Sequence, residues 1–321
     1  MKVIVTGGAG FIGSCLVWKL NSEGITDIII VDEKGAEKNG NLKGKKISCF
    51  IEKNRFLASL AKVLPAGRGN AVVHMGAATS TTELDASYLI ENNYLYSKTL
   101  AIEALKKKVP FLYASSAATY GDGELGYNDA DRVTVKLKPL NMYGYSKHAF
   151  DLWLLNNKLT RQVAGFKFFN VFGPNEYHKG DMKSVIAKTF DTVAAGKTMR
   201  LFKSYKKEYA DGEQKRDFIY VKDAVEIVYY FIEHLDKKGI FNVGAGKARS
   251  WNAVAGALFS ALRKPPRIEY IPMPEELRMR YQYFTQANLS KLRKAGCLHR
   301  CLSLEDSVRD YAGYLKDHAY L

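Results

Sequence analysis

Two short stretches place a tyrosine four residues before a lysine: Tyr94 and Lys98 in NNYLYSK (92–98), and Tyr143 and Lys147 in NMYGYSK (141–147). On a helix, that spacing leaves the two side chains roughly 40° apart around the axis, so each pair shares a face, while Tyr145 points nearly the opposite way. An ammonium beside a phenol favours the phenolate. It lowers the tyrosine pKa from about 10 toward neutrality and makes the residue a usable acid or base.

Position separates the two pairs. Tyr143 follows a strand-like run, Phe111-Leu112-Tyr113-Ala114-Ser115-Ser116. A hydroxyl at that strand end can bond the same substrate oxygen whose proton the tyrosine handles, so Ser116, Tyr143 and Lys147 form the expected catalytic group. Tyr94 lies inside a helical pattern running from near Leu84 to Lys107. There, Tyr94 and Tyr96 read as packing aromatics, and Asn92 is placed to face a cofactor.

The cofactor is suggested by the first thirty-two residues. The β-branched run Val3-Ile4-Val5 leads into Thr6-Gly7-Gly8-Ala9-Gly10-Phe11-Ile12-Gly13, then a helical pattern, then Ile28-Ile29-Ile30-Val31 ending in Asp32. This is a βαβ unit with glycines in its first turn, where the backbone must turn tightly, approach a pyrophosphate and pack closely. The phosphates then meet a helix N-terminus. Two registers fit, Gly8-x-Gly10-x-x-Gly13 and Gly7-x-x-Gly10-x-x-Gly13. Asp32 can accept hydrogen bonds from the adenosine ribose, which favours NAD, whereas Lys34 and Lys38 can hold a 2′-phosphate.

The elements that must position these groups alternate. Further buried strands are read at Ala71–Met75, Phe111–Ser115 and Gly165–Phe169, each ending in small or polar residues, with helical patterns between them. The expectation is an α/β fold, a Rossmann-type doubly wound parallel sheet with ligands beyond the strand carboxyl ends. After Pro174 the pattern loosens, and Arg216–Val221 and Ile240–Gly244 read as returns to the sheet. The predicted organisation is a dinucleotide-binding domain, 1–173 plus 217–247, and a smaller mixed α/β substrate domain, 174–216 plus 248–321.

The 321-residue chain carries a formal charge of +15, from 48 Lys and Arg against 33 Asp and Glu. This much positive charge attracts polyanions and a small phosphate-bearing substrate alike and does not choose between them; the basic residues are scattered, form no recognisable nucleic-acid module and read as solvated surface, so no nucleic-acid partner is expected. Neither a secretory signal nor an apolar run of membrane-spanning length is read, and a cytoplasmic protein without a membrane partner is expected. Cys15, Cys49, Cys297 and Cys301 read as reduced thiols. The pattern Cys297-Leu298-His299-Arg300-Cys301 has no second ligand pair at zinc spacing, so no metal is expected.

The set TGGAGFIG, SSAATYG, YGYSK and FNVFGP resembles the extended short-chain dehydrogenase/reductase family of nucleotide-sugar epimerases and dehydratases, over nearly the whole chain. GAATSTTE, ENNYLYSK, FNVFGPNEYHKGDM, KRDFIYV and RYQYFTQA resemble more closely the branch of that family that acts on ADP-heptoses. The resemblance implies inversion at C6 of the heptose in ADP-D-glycero-D-manno-heptose, through a 6-keto intermediate, with tightly bound NADP (NAD being the alternative), in lipopolysaccharide inner-core precursor synthesis. It also implies a ring-like homo-oligomer, with a pentamer as the form the family suggests.

By the same resemblance Lys179 is a second acid/base group opposite Tyr143. The cofactor residues implied are Gly7, Gly10, Phe11, Ile12, Gly13, Asp32, Glu33, Lys38, Lys53, Met75, Gly76, Ala77, Ala78, Thr79, Asn92, Lys147, Val171 and Lys179. Those implied for the substrate are Ser116, Asn170, Asp181, Lys188, Phe202, Lys203, Ser204, Tyr205, Arg216 and Tyr281. The chain departs from the family at Asp32-Glu33, where Asp-Asn is usual and where an added carboxylate would repel a 2′-phosphate. Asp181 and Lys188 stand where the family has Ser and His. A dehydratase or reductase of the same family is the alternative reading, disfavoured because Ala117-Ala118-Thr119-Tyr120 lacks the acidic pair usual in dehydratases. A non-catalytic binder would not need Ser116, Tyr143 and Lys147.

Overall fold

The structure is a computed structural model that describes residues 1–64, 66, 67, 69–278 and 281–321, with the side chain of Lys38 outside the described set. Arg280 of the RYQYFTQA motif is likewise outside it.

Twelve strands are described. They are β1 (Lys2–Thr6), β2 (Ile28–Asp32), β3 (Cys49–Glu52), β4 (Asn70–His74), β5 (Phe111–Ser116), β6 (Val163–Phe168), β7 (Asn170–Phe172), β8 (Met199–Phe202), β9 (Lys215–Tyr220), β10 (Gly239–Val243), β11 (Ala248–Ser250) and β12 (Ile268–Ile271). Seven form one parallel sheet in the order β10-β6-β5-β4-β1-β2-β3. The order of winding reverses between β1 and β4, which opens a crevice beyond their carboxyl ends.

Strand composition explains the burial on both faces. In β1, Val3 and Val5 join the core cluster on one side of the sheet, while Ile4 joins the cluster on the other. Successive strand residues point to opposite faces, so an unbroken β-branched run is what a sheet covered by helices on both sides requires. Helix Phe11–Ser22 packs on helix Val221–Glu233 over the first face, and helices Lys53–Val63 and Tyr96–Lys106 lie together over the second.

One expected return to the main sheet is different. The strand at Ile240–Gly244 does join it, as β10 beside β6. The run at Arg216 instead forms β9, which pairs with β7 in parallel and with β11 antiparallel. The chain leaves the main sheet after Phe168, and β7 offers β9 a ladder partner there. Strands β12 and β8 make a separate parallel pair.

The helical pattern from Leu84 to Lys107 is also interrupted: an α-turn at Ala86–Leu89, a π-helical turn at Ile90–Leu95, then helix Tyr96–Lys106. Among the described residues, no helix is long and apolar enough to cross a membrane.

Candidate active site

The crevice is formed where β1 and β4 end. Gly7 adopts φ +66°, and a Cβ there would stand 2.4 Å from the Gly76 nitrogen; a Cβ on Gly13 would stand 2.0 Å from the Gly7 carbonyl oxygen. Gly7 is thus required by conformation and Gly13 by packing, and Gly8 has no room for a Cβ either, 2.7 Å from the Ile30 side chain and 2.9 Å from the Val5 carbonyl oxygen, so the residues of both registers are needed as glycine. Helix Phe11–Ser22 starts at Gly10 without a side-chain cap. Its first-turn N–H groups therefore suit an anion, and a Cβ-free cradle at an uncapped helix end fits a dinucleotide pyrophosphate.

Asp32 ends β2 with both carboxylate oxygens engaged, Oδ2 accepting from the Ala9 N–H and Oδ1 from the Glu33 N–H, each at 2.8 Å. Burial raises its pKa, and these N–H donors oppose the rise. Beside it, a cavity of about 90 Å³ is lined by Gly7, Asp32, Glu33, Lys53, Gly76, Ala77, Ala78 and Asn92. Lys53 closes its rim, donating to Glu33 Oε1 at 2.5 Å and to Asn92 Oδ1 at 2.9 Å. The Met75 N–H bonds the Thr6 carbonyl, joining β4 to β1, and Thr79 is exposed at the end of this loop.

Ser116 ends β5, its hydroxyl accepts from the Ala118 N–H at 3.1 Å, and it lines one cavity with Tyr143. Tyr143 and Lys147 lie on helix Met142–Asn156, whose N-cap Asn141 accepts from the Gly144 N–H at 2.8 Å. Gly144 lets the helix approach the strand end, since a Cβ there would come within 2.8 Å of the Ala118 carbonyl oxygen. Lys147 is 4% exposed and donates to the Ala114 carbonyl at 2.9 Å. Burial brings its pKa down to about 8, with the Asp151 carboxylate opposing the fall.

The expected lowering of the Tyr143 pKa is not what the environment produces. Burial raises it and the Ser116 hydroxyl only partly offsets that, so the resting residue is the phenol, the proton donor.

His74 sits behind Lys147. Its Nδ1 meets Thr6 Oγ1 at 2.5 Å and its Nε2 meets Ser97 Oγ at 2.8 Å, while Ser97 donates to the Asn93 carbonyl. With the serine proton used, Nε2 is the donor and Nδ1 the acceptor, which is a neutral imidazole. Burial and the Lys147 ammonium push its pKa down to about 3.

A second cavity, of about 300 Å³, is lined by Ser116, Tyr143, Asn170, Arg216 and Tyr281, together with Thr81, Asn141, Gln282 and Thr285. Arg216 is 6% exposed; its guanidinium lies 5.0 Å from the centre of the Tyr281 ring and donates to the Lys215 carbonyl. The Tyr281 hydroxyl accepts from Trp251 Nε1 at 2.8 Å. Arg216 and Asp217 are not an ion pair. Asp217 accepts from the backbone N–H groups of Ala245, Gly246 and Ala287, and burial lifts its pKa to about 6. Among the described residues no carboxylate pairs with Arg216, so a buried cation faces the cavity, an arrangement suited to an anionic ligand.

The remaining predicted residues spread around this centre. Lys179 does not line the second cavity; its ammonium stands 5.4 Å from the Phe11 ring centre, at the start of the glycine-turn helix, and burial lowers its pKa against the pull of Glu176. Val171 lines a neighbouring cavity of about 190 Å³ with Asn170, Phe218 and Trp251. Phe202 ends β8, Lys203 follows it, the Ser204 N–H bonds Asp211, and the Tyr205 N–H bonds the Tyr283 hydroxyl. Asp181 and Lys188 are exposed and line neither cavity.

Several residues that hold the site are not among the predicted site residues. Asn93 accepts from the Ala78 N–H and donates to the Ala78 carbonyl and to Ser146, pinning the β4 loop to helix Met142–Asn156. Glu176 accepts from the N–H and hydroxyl of Ser184 and from the Tyr311 hydroxyl, fixing the loop that carries Lys179. The lysine of the other look-alike pair, Lys98, lies over the rings of Tyr94 and Trp153, a packing arrangement. Among the described residues Asp223, His299 and Cys301 lie together. His299 Nε2 bonds Asp223 Oδ1 at 2.8 Å and the Leu302 N–H bonds Oδ2, tying the C-terminal segment to helix Val221–Glu233.

Residues 3–244 match the family model described as the NAD dependent epimerase/dehydratase family. A protein of Nitratidesulfovibrio vulgaris named ADP-L-glycero-D-manno-heptose-6-epimerase is 51% identical over 309 residues, 96% of each chain. A protein of the same name from Fusobacterium nucleatum is 46% identical over 331 residues, covering 99% of this chain and all of that one. Among solved structures, the Helicobacter pylori ADP-L-glycero-D-manno-heptose-6-epimerase aligns with a TM-score of 0.80 at 26% identity, over 98% of this chain and 96% of that one.

Proposed function

The chain belongs to the NAD-dependent epimerase/dehydratase family, its relatives being isomerases, and we propose that it inverts C6 of the heptose in ADP-D-glycero-D-manno-heptose to give the L-glycero epimer. The observation that carries this reading is one cavity lined by Ser116, Tyr143 and Arg216, a buried cation without a carboxylate partner among the described residues. An acid/base pair beside an anion clamp suits a nucleotide sugar.

A nicotinamide dinucleotide, NADP in this proposal with NAD as the alternative, would supply reversible hydride transfer at C6 when bound. The glycine cradle and the uncapped helix end would hold its pyrophosphate, and Asp32 and Lys53 would flank its adenosine.

On one face Lys179, whose pKa burial lowers, accepts the proton of the C6 hydroxyl. Once the ketone has turned, Tyr143, a phenol at rest, donates a proton to its oxygen from the opposite face, with Ser116 beside the same oxygen. Lys147, with a pKa of about 8, supplies the proton that restores the phenol. Arg216 and Tyr281 hold the diphosphate and nucleotide end, with Phe202–Tyr205 beside the base.

A cytoplasmic homo-oligomer is part of the proposal. Leu95 and Ile102, 47% and 44% exposed along the helical stretch 86–106, offer apolar surface to another copy.

The test is incubation of the purified protein, without added cofactor, with ADP-D-glycero-D-manno-heptose. C6 configuration is followed by NMR, and the nucleotide released on denaturation is identified. Inversion is expected; a substrate that keeps its configuration while the protein carries bound nucleotide overturns the reading.

A further inference from the structure

The helix that carries Tyr143 and Lys147 presents one more functional side chain on the same face, four residues further on: Asp151. We propose that Asp151 and Lys167 form a buried positioning pair that sets Lys147 and Ser116 for proton transfer. The proposal rests on the reading of Ser116, Tyr143 and Lys147 as the acid/base group.

Both side chains of the pair are wholly buried, with Lys167 Nζ 2.6 Å from Asp151 Oδ2. The carboxylate also accepts from the Tyr113 hydroxyl through Oδ1 and from the Ser115 hydroxyl through Oδ2, each at 2.8 Å. Tyr113 and Ser115 flank Ala114, whose carbonyl accepts the Lys147 ammonium. Asp151 therefore grips β5 on both sides of the Lys147 acceptor.

Lys167 holds the other side of Ser116. It donates to Thr119 Oγ1 at 2.7 Å, and Thr119 donates to the Ser116 carbonyl at 2.8 Å. Gly165, the neighbour of Tyr113 across the sheet, leaves room for that ring, since a Cβ there would stand 2.4 Å from it. Every hydrogen bond of this ion pair thus ends on the strand and turn that deliver Ser116 and the Lys147 acceptor.

A buried ion pair is a poor source of stability, because apolar residues of the same volume serve as well or better. Its placement here has a catalytic reason. The charged and titratable groups around Lys147 are Asp151 and Tyr143 on its own helix, His74 from β4 and Lys167 from β6, with His148 facing Asp151 and Lys167. Of these, only Asp151 is an anion that supports the Lys147 ammonium. Lys167 is its ion-pair partner in the core.

Two variants of the full chain test the pair: Asp151→Asn, and the volume-matched double variant Asp151→Leu with Lys167→Met. The double variant is expected to fold and retain bound nucleotide with an unchanged KM, while kcat falls roughly tenfold to a hundredfold, as for a misplaced catalytic group. Asp151→Asn is expected to move the pH dependence of kcat assigned to Lys147 about one pH unit lower. A folded double variant with parental kcat and pH profile overturns the proposal, and so does a double variant that cannot fold, since the pair would then be structural.

A second readout needs no substrate. Urea stability at pH 7 is compared for Lys147→Met in the parent and in the Asp151→Asn background, or in the double-variant background if Asp151→Asn alone does not fold. Unequal increments support the coupling and equal ones refute it. If the parent does not invert the heptose, the substrate reading fails on its own and this cycle still decides the pair.

Discussion

Replacing Lys147 by Met should make the protein more stable while disabling it. A folded-state pKa of about 8 against an ordinary 10.5 corresponds to about 3 kcal/mol at roughly 1.4 kcal/mol per decade. The sign follows from proton binding. Between pH 8 and 10.5 the unfolded chain holds the lysine proton and the folded chain does not, so native stability rises with pH through that window. Below pH 8 both states are protonated and the native state carries the full cost of a buried ammonium. Met removes this cost but leaves the Ala114 carbonyl without its donor, a loss of about 1–2 kcal/mol. The expected net gain is about 1–2 kcal/mol at pH 7, disappearing by about pH 10, where the remaining ammonium cost in the parent is only about 1 kcal/mol. Urea denaturation of parent and variant at pH 7 and pH 10, with stability extrapolated linearly, measures both differences. A difference that stays the same at the two pH values would refute the reasoning, because the ammonium would then not be what burial penalises.

Three further outcomes are expected. Tyr143→Phe should slow inversion by roughly 10²–10⁴-fold, while Tyr94→Phe, from the look-alike pair, keeps most activity; comparable losses would show the wrong pair had been chosen. Glu33→Gln removes the carboxylate paired with Lys53 at the adenosine rim. By relieving a repulsion of about 1 kcal/mol, it should tighten NADP severalfold relative to NAD, as read by equilibrium binding of the two nucleotides; an unchanged ratio removes Glu33 from cofactor choice. The neutral, buried His74, with a pKa of about 3 against an ordinary 6.5, should make the parent lose stability as pH falls from 6.5 toward 3, because the unfolded imidazole binds a proton that the folded one refuses. His74→Asn should flatten that slope in acid denaturation, and an equally steep slope would place the acid sensitivity elsewhere.

How legible the molecule was in its sequence depends on range. The glycine turn, the β-branched runs and the Ser116–Tyr143–Lys147 order are local patterns, and each is found as an element or a neighbour in space. Partner choice between strands is not local. Nothing in KRDFIY distinguishes a strand that rejoins the main sheet from one that pairs with Asn170–Phe172, because that choice depends on where the chain leaves β6. The same holds for Asn93, Asp151 and Glu176. Each is an ordinary polar residue in an apolar or loop pattern, and its importance lies in donors that arrive from 15 to more than 100 residues away.

One local signal did separate the look-alike stretches. Position 144 in NMYGYSK is glycine, and the matching position in NNYLYSK is Leu95. A helix that must bring its first turn against a strand-end carbonyl has no room for a side chain there, and at Gly144 even a Cβ would come within 2.8 Å of the Ala118 oxygen. Leu95 is instead 47% exposed, on a π-helical turn. That turn inserts an extra residue per winding, so adjacent side chains are displaced less around the axis than in an α-helix. Asn92 and Asn93 are accordingly both directed toward the sheet ends, one to Lys53 at the adenosine rim and the other to Ala78 and Ser146. The second stretch gives up close approach for a pair of adjacent amides, and helix Met142–Asn156 is held in place by one of them.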